Sequence, residues 1–121
     1  MEDKIIHIEK FISHEQEGTY LTVPFNVPDN VIRIVVSYEY YRPTKGIWSD
    51  LHPTNCIDIG LADENNDFLG WSGSSHSEIS VGEFSSSDGY INKKPSAGEW
   101  KILVGAYHVE EKGVSVNYTI R

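Results

Sequence analysis

The sequence predicts an all-β fold: an antiparallel two-sheet β-sandwich, jelly-roll-like, of about eight strands. Three observations lead there. Apolar and polar residues alternate with a period of two along most of the chain. Clusters of Gly, Pro, Asn, Asp and Ser interrupt the alternating runs at short intervals. No stretch carries the apolar spacing of a convincing amphipathic helix. The 121 residues are the length of one domain, so the whole of 1–121 is read as a single sandwich, with no linker, repeat or second domain.

The elements follow in order. Residues 4–17 carry β-branched Ile5, Ile6, Ile8 and Ile12, which disfavour a helix and read as a first strand plus a polar turn. Leu21, Val23, Phe25 and Val27 then alternate with Tyr20, Thr22, Pro24 and Asn26. After Pro28-Asp29-Asn30, Ile32, Ile34, Val36, Tyr38 and Tyr40 form one face of the next strand. The segment from Arg42 to Thr54 lacks the pattern and is expected to be an irregular crossover. Ile57, Ile59 and Leu61 resume it, and Ile79 and Val81 carry it more weakly. Trp100, Ile102, Val104 and Ala106 line one face of a strand whose other face carries Leu103 and Tyr107, which predicts burial on both sides. Val114, Val116, Tyr118 and Ile120 give the cleanest alternation, against Ser115, Asn117, Thr119 and Arg121.

Charge narrows the function classes. Ten Lys and Arg against 18 Asp and Glu give a net charge of -8. A duplex-tracking surface needs a basic face, and so does an anionic membrane surface, so neither nucleic acid nor membrane is an expected partner. The charged Met1-Glu2-Asp3-Lys4 start, with no apolar run after it, does not read as a signal peptide, and a cytoplasmic location is the expectation. The single Cys56 permits neither an intrachain disulfide nor a Cys-rich zinc site, and reads as a buried strand cysteine.

Several groups carry chemistry worth placing. The five histidines His7, His14, His52, His76 and His108 show no metal-ligand spacing. Asp63, Asn65 and Asp67 have the alternating oxygen ligands that open a calcium loop. Phe68 then stands where that loop needs glycine and Ser74 where it needs glutamate, so a hairpin turn explains the run more simply. No cofactor is expected. Gly70-Trp71-Ser72-Gly73-Ser74 is close to a nucleophile elbow, but no helix follows it, so Ser72 is not expected to be catalytic. Asp58, a carboxylate between Ile57 and Ile59, faces outward or is hydrogen-bonded. The aromatics Trp71, Tyr90, Trp100 and Tyr107 lie near glycines and turns, as core packing or, if exposed together, as a platform for a sugar or peptide. Tyr38, Tyr40, Tyr41 and Trp48 beside Arg42 form a second aromatic patch. The ligand-contact or partner-contact candidates are therefore Asp58, Trp71, Ser72, Tyr90 and Tyr107, with no catalytic set.

Residues 56–63 (CIDIGLAD), Gly70-Trp71-Ser72-Gly73, Gly89-Tyr90-Ile91, Pro95 and residues 98–107 (GEWKILVGAY) occur in an order and spacing that resemble a known family. It is the N-terminal β-sandwich module of the CehA/McbA-type metallohydrolases of the PHP superfamily, and the likeness covers roughly residues 20–120. The resemblance implies a non-catalytic accessory or interaction module, because in that family the metal-binding chemistry lies in a PHP domain that follows. It implies a PHP-type hydrolase domain as partner, with a second copy of the chain as the other candidate. None of that domain's metal ligands has a counterpart here. The sequence departs from the family at Ser74-Ser75-His76-Ser77, where arginines are expected. A module binding a small molecule or carbohydrate through aromatic residues is the alternative. A hydrolase built from Ser72, Asp58 and a histidine is the weakest reading.

Overall fold

The computed structural model describes residues 5–41, 44–45, 52–53, 55–73 and 77–121. Eight strands form two four-stranded antiparallel sheets. Sheet A contains β1 (Ile6–Ile12), β10 (Val114–Ile120), β3 (Arg33–Tyr40) and β8 (Glu78–Gly82), in that spatial order. Sheet B contains β2 (Tyr20–Val27), β9 (Gly98–His108), β6 (Cys56–Ala62) and β7 (Phe68–Ser72). A two-residue pair, β4 (Thr44–Lys45) with β5 (His52–Pro53), lies in the crossover segment. The rest of that segment, with Arg42 and Trp48 of the second aromatic patch, falls outside the described residues.

The pairings are nested. β1 lies beside β10, β2 beside β9, β3 beside β8, and β6 beside β7. That is one long hairpin wrapped on itself, the strand order of a jelly roll. Among these eight strands only β6 and β7 are consecutive within one sheet; each other step crosses to the opposite sheet. The wrapping follows from the alternation. A strand with one apolar face buries it only by facing another sheet, and a period of two aims every second side chain at the same core.

The core is the set of inward faces. Ile34, Val36, Ile79, Val81, Val116 and Ile120 come from sheet A and meet Phe25, Ile57, Ile59, Leu61, Trp100 and Ile102 from sheet B. Each fully buried aliphatic side chain contributes about 1.5–3 kcal/mol relative to exposure. Two tyrosines of β3 tie the sheets together. Tyr38 donates to the carbonyl of Ile57, and the Ile57 N–H donates to the Tyr40 hydroxyl, both at 2.9 Å. They meet β6 where its register with β9 shifts between Cys56 and Ile57. Tyr118 stacks on Tyr38 with ring centroids 5.8 Å apart, and its buried hydroxyl has no hydrogen-bond partner among the described residues. Burial, and then the nearby Tyr40, hold that phenol well above its ordinary pKa.

Two expectations are corrected. β9 is not buried on both faces: Leu103 is half-buried and Tyr107 is 63% exposed. Cys56 is half-buried rather than inside the core. The β1–β2 connection is the expected polar turn, holding a single 3-10 turn at His14–Gln16. Among the described residues no helix is long and apolar enough to cross a membrane.

Candidate functional site: the outer face of sheet B

Antiparallel register places Tyr20 of β2 opposite Gly105 of β9, and Gly105 opposite Asp58 of β6. One row along, Thr22, Leu103, Gly60 and Trp71 line up across all four strands. All these positions point away from the core, because their neighbours Leu21, Val104, Ile59 and Ser72 point toward it.

The two glycines decide what Trp71 does. A Cβ at Gly60 would lie 2.5 Å from Trp71 Cε3, and one at Gly105 would lie 2.8 Å from Cζ2 and Cη2. Both distances are shorter than any side chain tolerates. The indole therefore lies down over β6 and reaches β9, on a floor that only glycine leaves open. Tyr20, 79% exposed, meets the indole edge-on, with centroids 5.8 Å apart and planes at 67°. Tyr107, also exposed, stands further along β9 with its ring 4.4 Å from that of His108. Gly18, Thr19, Tyr20, Asp58, Gly105 and Tyr107 enclose a dent of about 70 Å³ beside the platform.

The rim beyond Gly18 is polar and anchored. Glu17 Oε1 accepts the Val109 N–H at 2.9 Å and lies 3.8 Å from His108 Nδ1. The Val109 N–H, with His14 and His108 adding to it, outweighs burial and holds the Glu17 carboxyl below its usual value. His14 Nδ1 lies 2.6 Å from the Val109 carbonyl. The turn that carries Gly18 and Thr19 is thus pinned to the strand that carries Tyr107.

The sequence candidates divide between two faces. Asp58, Trp71 and Tyr107 come together on this outer face. Ser72 and Tyr90 turn inward: their hydroxyls lie 3.1 Å apart, and Tyr90 donates to the Ile59 carbonyl. Burial raises the Tyr90 phenol above its ordinary pKa despite that bond to Ser72. Both serve to join β7, β6 and the loop at Tyr90. The exposed Tyr20 and the glycines Gly60 and Gly105 were not among the candidates. An isolated glycine within an otherwise regular strand is the sequence signal that marks such a close approach.

The Asp63 corner is closed. Asp63 Oδ1 accepts the N–H groups of Asn65 and Asp67, both at 2.9 Å, and Oδ2 is paired with the Lys93 ammonium. Lys93 also reaches Glu64 at 2.9 Å, and Glu64 accepts from the Ser96 hydroxyl. Burial pushes the Asp63 and Glu64 carboxyls up. Lys93 and the surrounding donors outweigh it, and both end below their ordinary values. Lys93 occupies the place a cation would take beside Asp63, and the run is an Asx turn with Asn66 at φ 63°. Among the described residues no group of three His, Cys, Asp or Glu side chains gathers as metal ligands. Ser74, Ser75 and His76 fall outside the described residues.

No family model matches the chain, and no curated protein matches it.

Proposed function

We propose that this chain is a non-catalytic β-sandwich binding module, of the accessory kind that precedes a PHP-type hydrolase domain, and that it binds on the outer face of sheet B. The ligand class is a polyhydroxylated ring such as a sugar. The carrying observation is the Trp71 indole laid flat over Gly60 and Gly105 with Tyr20 at its edge. A pyranose has one face of C–H groups and a rim of hydroxyls. The aromatic surface matches the first. The dent beside Asp58 and the hydroxyls of Tyr20 and Tyr107 match the second. Placing these groups on strands rather than loops keeps the platform rigid without ligand. The non-catalytic part of the reading is supported by Ser72, whose hydroxyl is buried against Tyr90.

The test is calorimetric titration with cello-, xylo- and chito-oligosaccharides, on the parent protein and on Trp71→Ala and Tyr20→Ala. Saturable binding that both substitutions weaken tenfold or more supports the reading. Binding that neither substitution changes, or no binding across the panel, overturns it.

A further inference from the structure

The dent beside the Trp71 platform carries charge of one sign. Among the described residues Asp58 is the one charged residue that lines it. A Cβ on Gly105 would lie 3.2 Å from that of Asp58 and 2.8 Å from the Trp71 indole, so the carboxylate stands at the margin of the ring. Tyr20 and Tyr107, both exposed, line the same dent. On the rim, Glu17 adds a second carboxylate, 3.8 Å from His108 Nδ1.

The bases lie elsewhere. Lys101 shares the outward side of β9, but four residues from Gly105, about 14 Å along the strand at about 3.4 Å per residue. It lies 3.9 Å from Glu99. Lys93 closes the Asp63 corner, and Lys112 lies 3.9 Å from Glu110 at the turn between β9 and β10. Arg33 and Arg121 belong to sheet A, the first bonded to Ser80 and Ser85 and the second to Glu78. The net charge of -8 adds a longer-range attraction for cations.

We propose that the sugar bound on this face is cationic: an amino sugar whose ring lies on Trp71 and whose protonated amine enters the dent beside Asp58. This specificity rests on the reading of the face as a sugar platform and names the sugar. A carboxylate only accepts hydrogen bonds, and it accepts them more strongly from an ammonium than from a hydroxyl. Aromatic faces attract a cation through the ring quadrupole, and Tyr20 and Tyr107 stand at the dent. A uronic acid would bring its own carboxylate up to Asp58 and is disfavoured by like-charge repulsion. The order of affinity is therefore amino sugar, then neutral sugar, then uronic acid.

The experiment is calorimetric titration with the tetramers of glucosamine, its amines protonated, of N-acetylglucosamine, of glucose and of galacturonic acid. The glucosamine tetramer should bind about tenfold tighter than either neutral one, and the galacturonic acid tetramer weakest. This ranking is read on the parent protein, so it tests the proposal whether or not a variant folds. Asp58→Asn should bring the glucosamine tetramer down to the affinity of the neutral ones. Glu83→Gln removes an equal charge from an exposed position just after β8 of sheet A, and should keep the preference. That separates a contact at Asp58 from the pull of an acidic protein on any cation. Neutral tetramers binding as tightly as glucosamine, a preference that survives Asp58→Asn, or one that Glu83→Gln abolishes each overturn the proposal and leave the platform standing. No binding by any of the tetramers, or binding that Trp71→Ala does not weaken, overturns the platform and the proposal with it.

Discussion

At the β6–β7 turn each carboxylate oxygen of Asp63 is met from within the chain, whereas on the outer face of the same sheet Tyr20 and Tyr107 project without a hydrogen-bond partner among the described residues. The first region is 2% exposed at Asp63 and knits Lys93, Glu64 and Ser96 into one network. The second leaves tyrosines 79% and 63% exposed around a half-buried indole. A buried charge with full partners maintains a turn and has no donor or acceptor left for a ligand. Exposed aromatics on a rigid sheet add little to folding and keep their contact surface available. Stability should therefore depend on the corner, and binding on the face.

The largest expected effect is at the corner. Asp63→Ala leaves two N–H groups and part of the Lys93 charge without an acceptor, a loss of about 2–3 kcal/mol. For a domain of this size that lowers the melting temperature by roughly 10 °C, read by thermal denaturation. Oligosaccharide affinity should not change. The same network sets the acid limb of stability. The Asp63 and Glu64 carboxyls are depressed in the folded state, so their contribution is present above their unfolded values, about 4, and is lost as pH falls through the folded ones. Melting temperature should fall below about pH 4, and Asp63→Asn should flatten that fall; an unchanged profile in the variant would remove Asp63 from it.

Gly105→Ala tests stability and binding at the face together. Its methyl group would meet the indole at 2.8 Å. Lifting the ring should cost about 1–3 kcal/mol in thermal or urea denaturation, and should abolish binding on the face. Intact affinity would show that the flat indole is not the platform. Tyr118→Phe removes a buried hydroxyl that has no partner among the described residues, and should leave stability unchanged or raise it by up to about 1 kcal/mol. A loss would mean that the hydroxyl is engaged. Smallest in stability is Tyr20→Ala, within about 0.5 kcal/mol because the ring is exposed, and this variant should lose binding tenfold or more in calorimetry.

Much of the fold was legible in the sequence. The alternations around Val23, Ile34, Ile59, Ile102 and Val116 each identify a strand and its inner face, because a period of two admits no other arrangement with one buried side. The turns after Val27 and Ala62 were legible from Asn30 and Asn66, which both take positive φ. The nested strand order was only approached, since alternation says which face is buried and not which strand lies beside it. The candidate site was half legible. Asp58, Trp71 and Tyr107 share a face because register across β6, β7 and β9 brings them together, whereas Ser72 sits one residue from Trp71 and so faces the other way. Tyr20 is nearly forty residues from Asp58 in sequence, and only the pairing of both β2 and β6 with β9 makes them neighbours.

The outer face of sheet B is tested most directly by the indole N–H resonances during an oligosaccharide titration. A ligand on the platform should shift the Trp71 signal saturably, together with the amide of Gly105, while the Trp100 signal stays in place, because that indole is buried and donates to Ser96 at 3.0 Å. Saturable binding that leaves Trp71 and Gly105 unmoved, or no binding by any oligosaccharide of the panel, would contradict the assignment of this face.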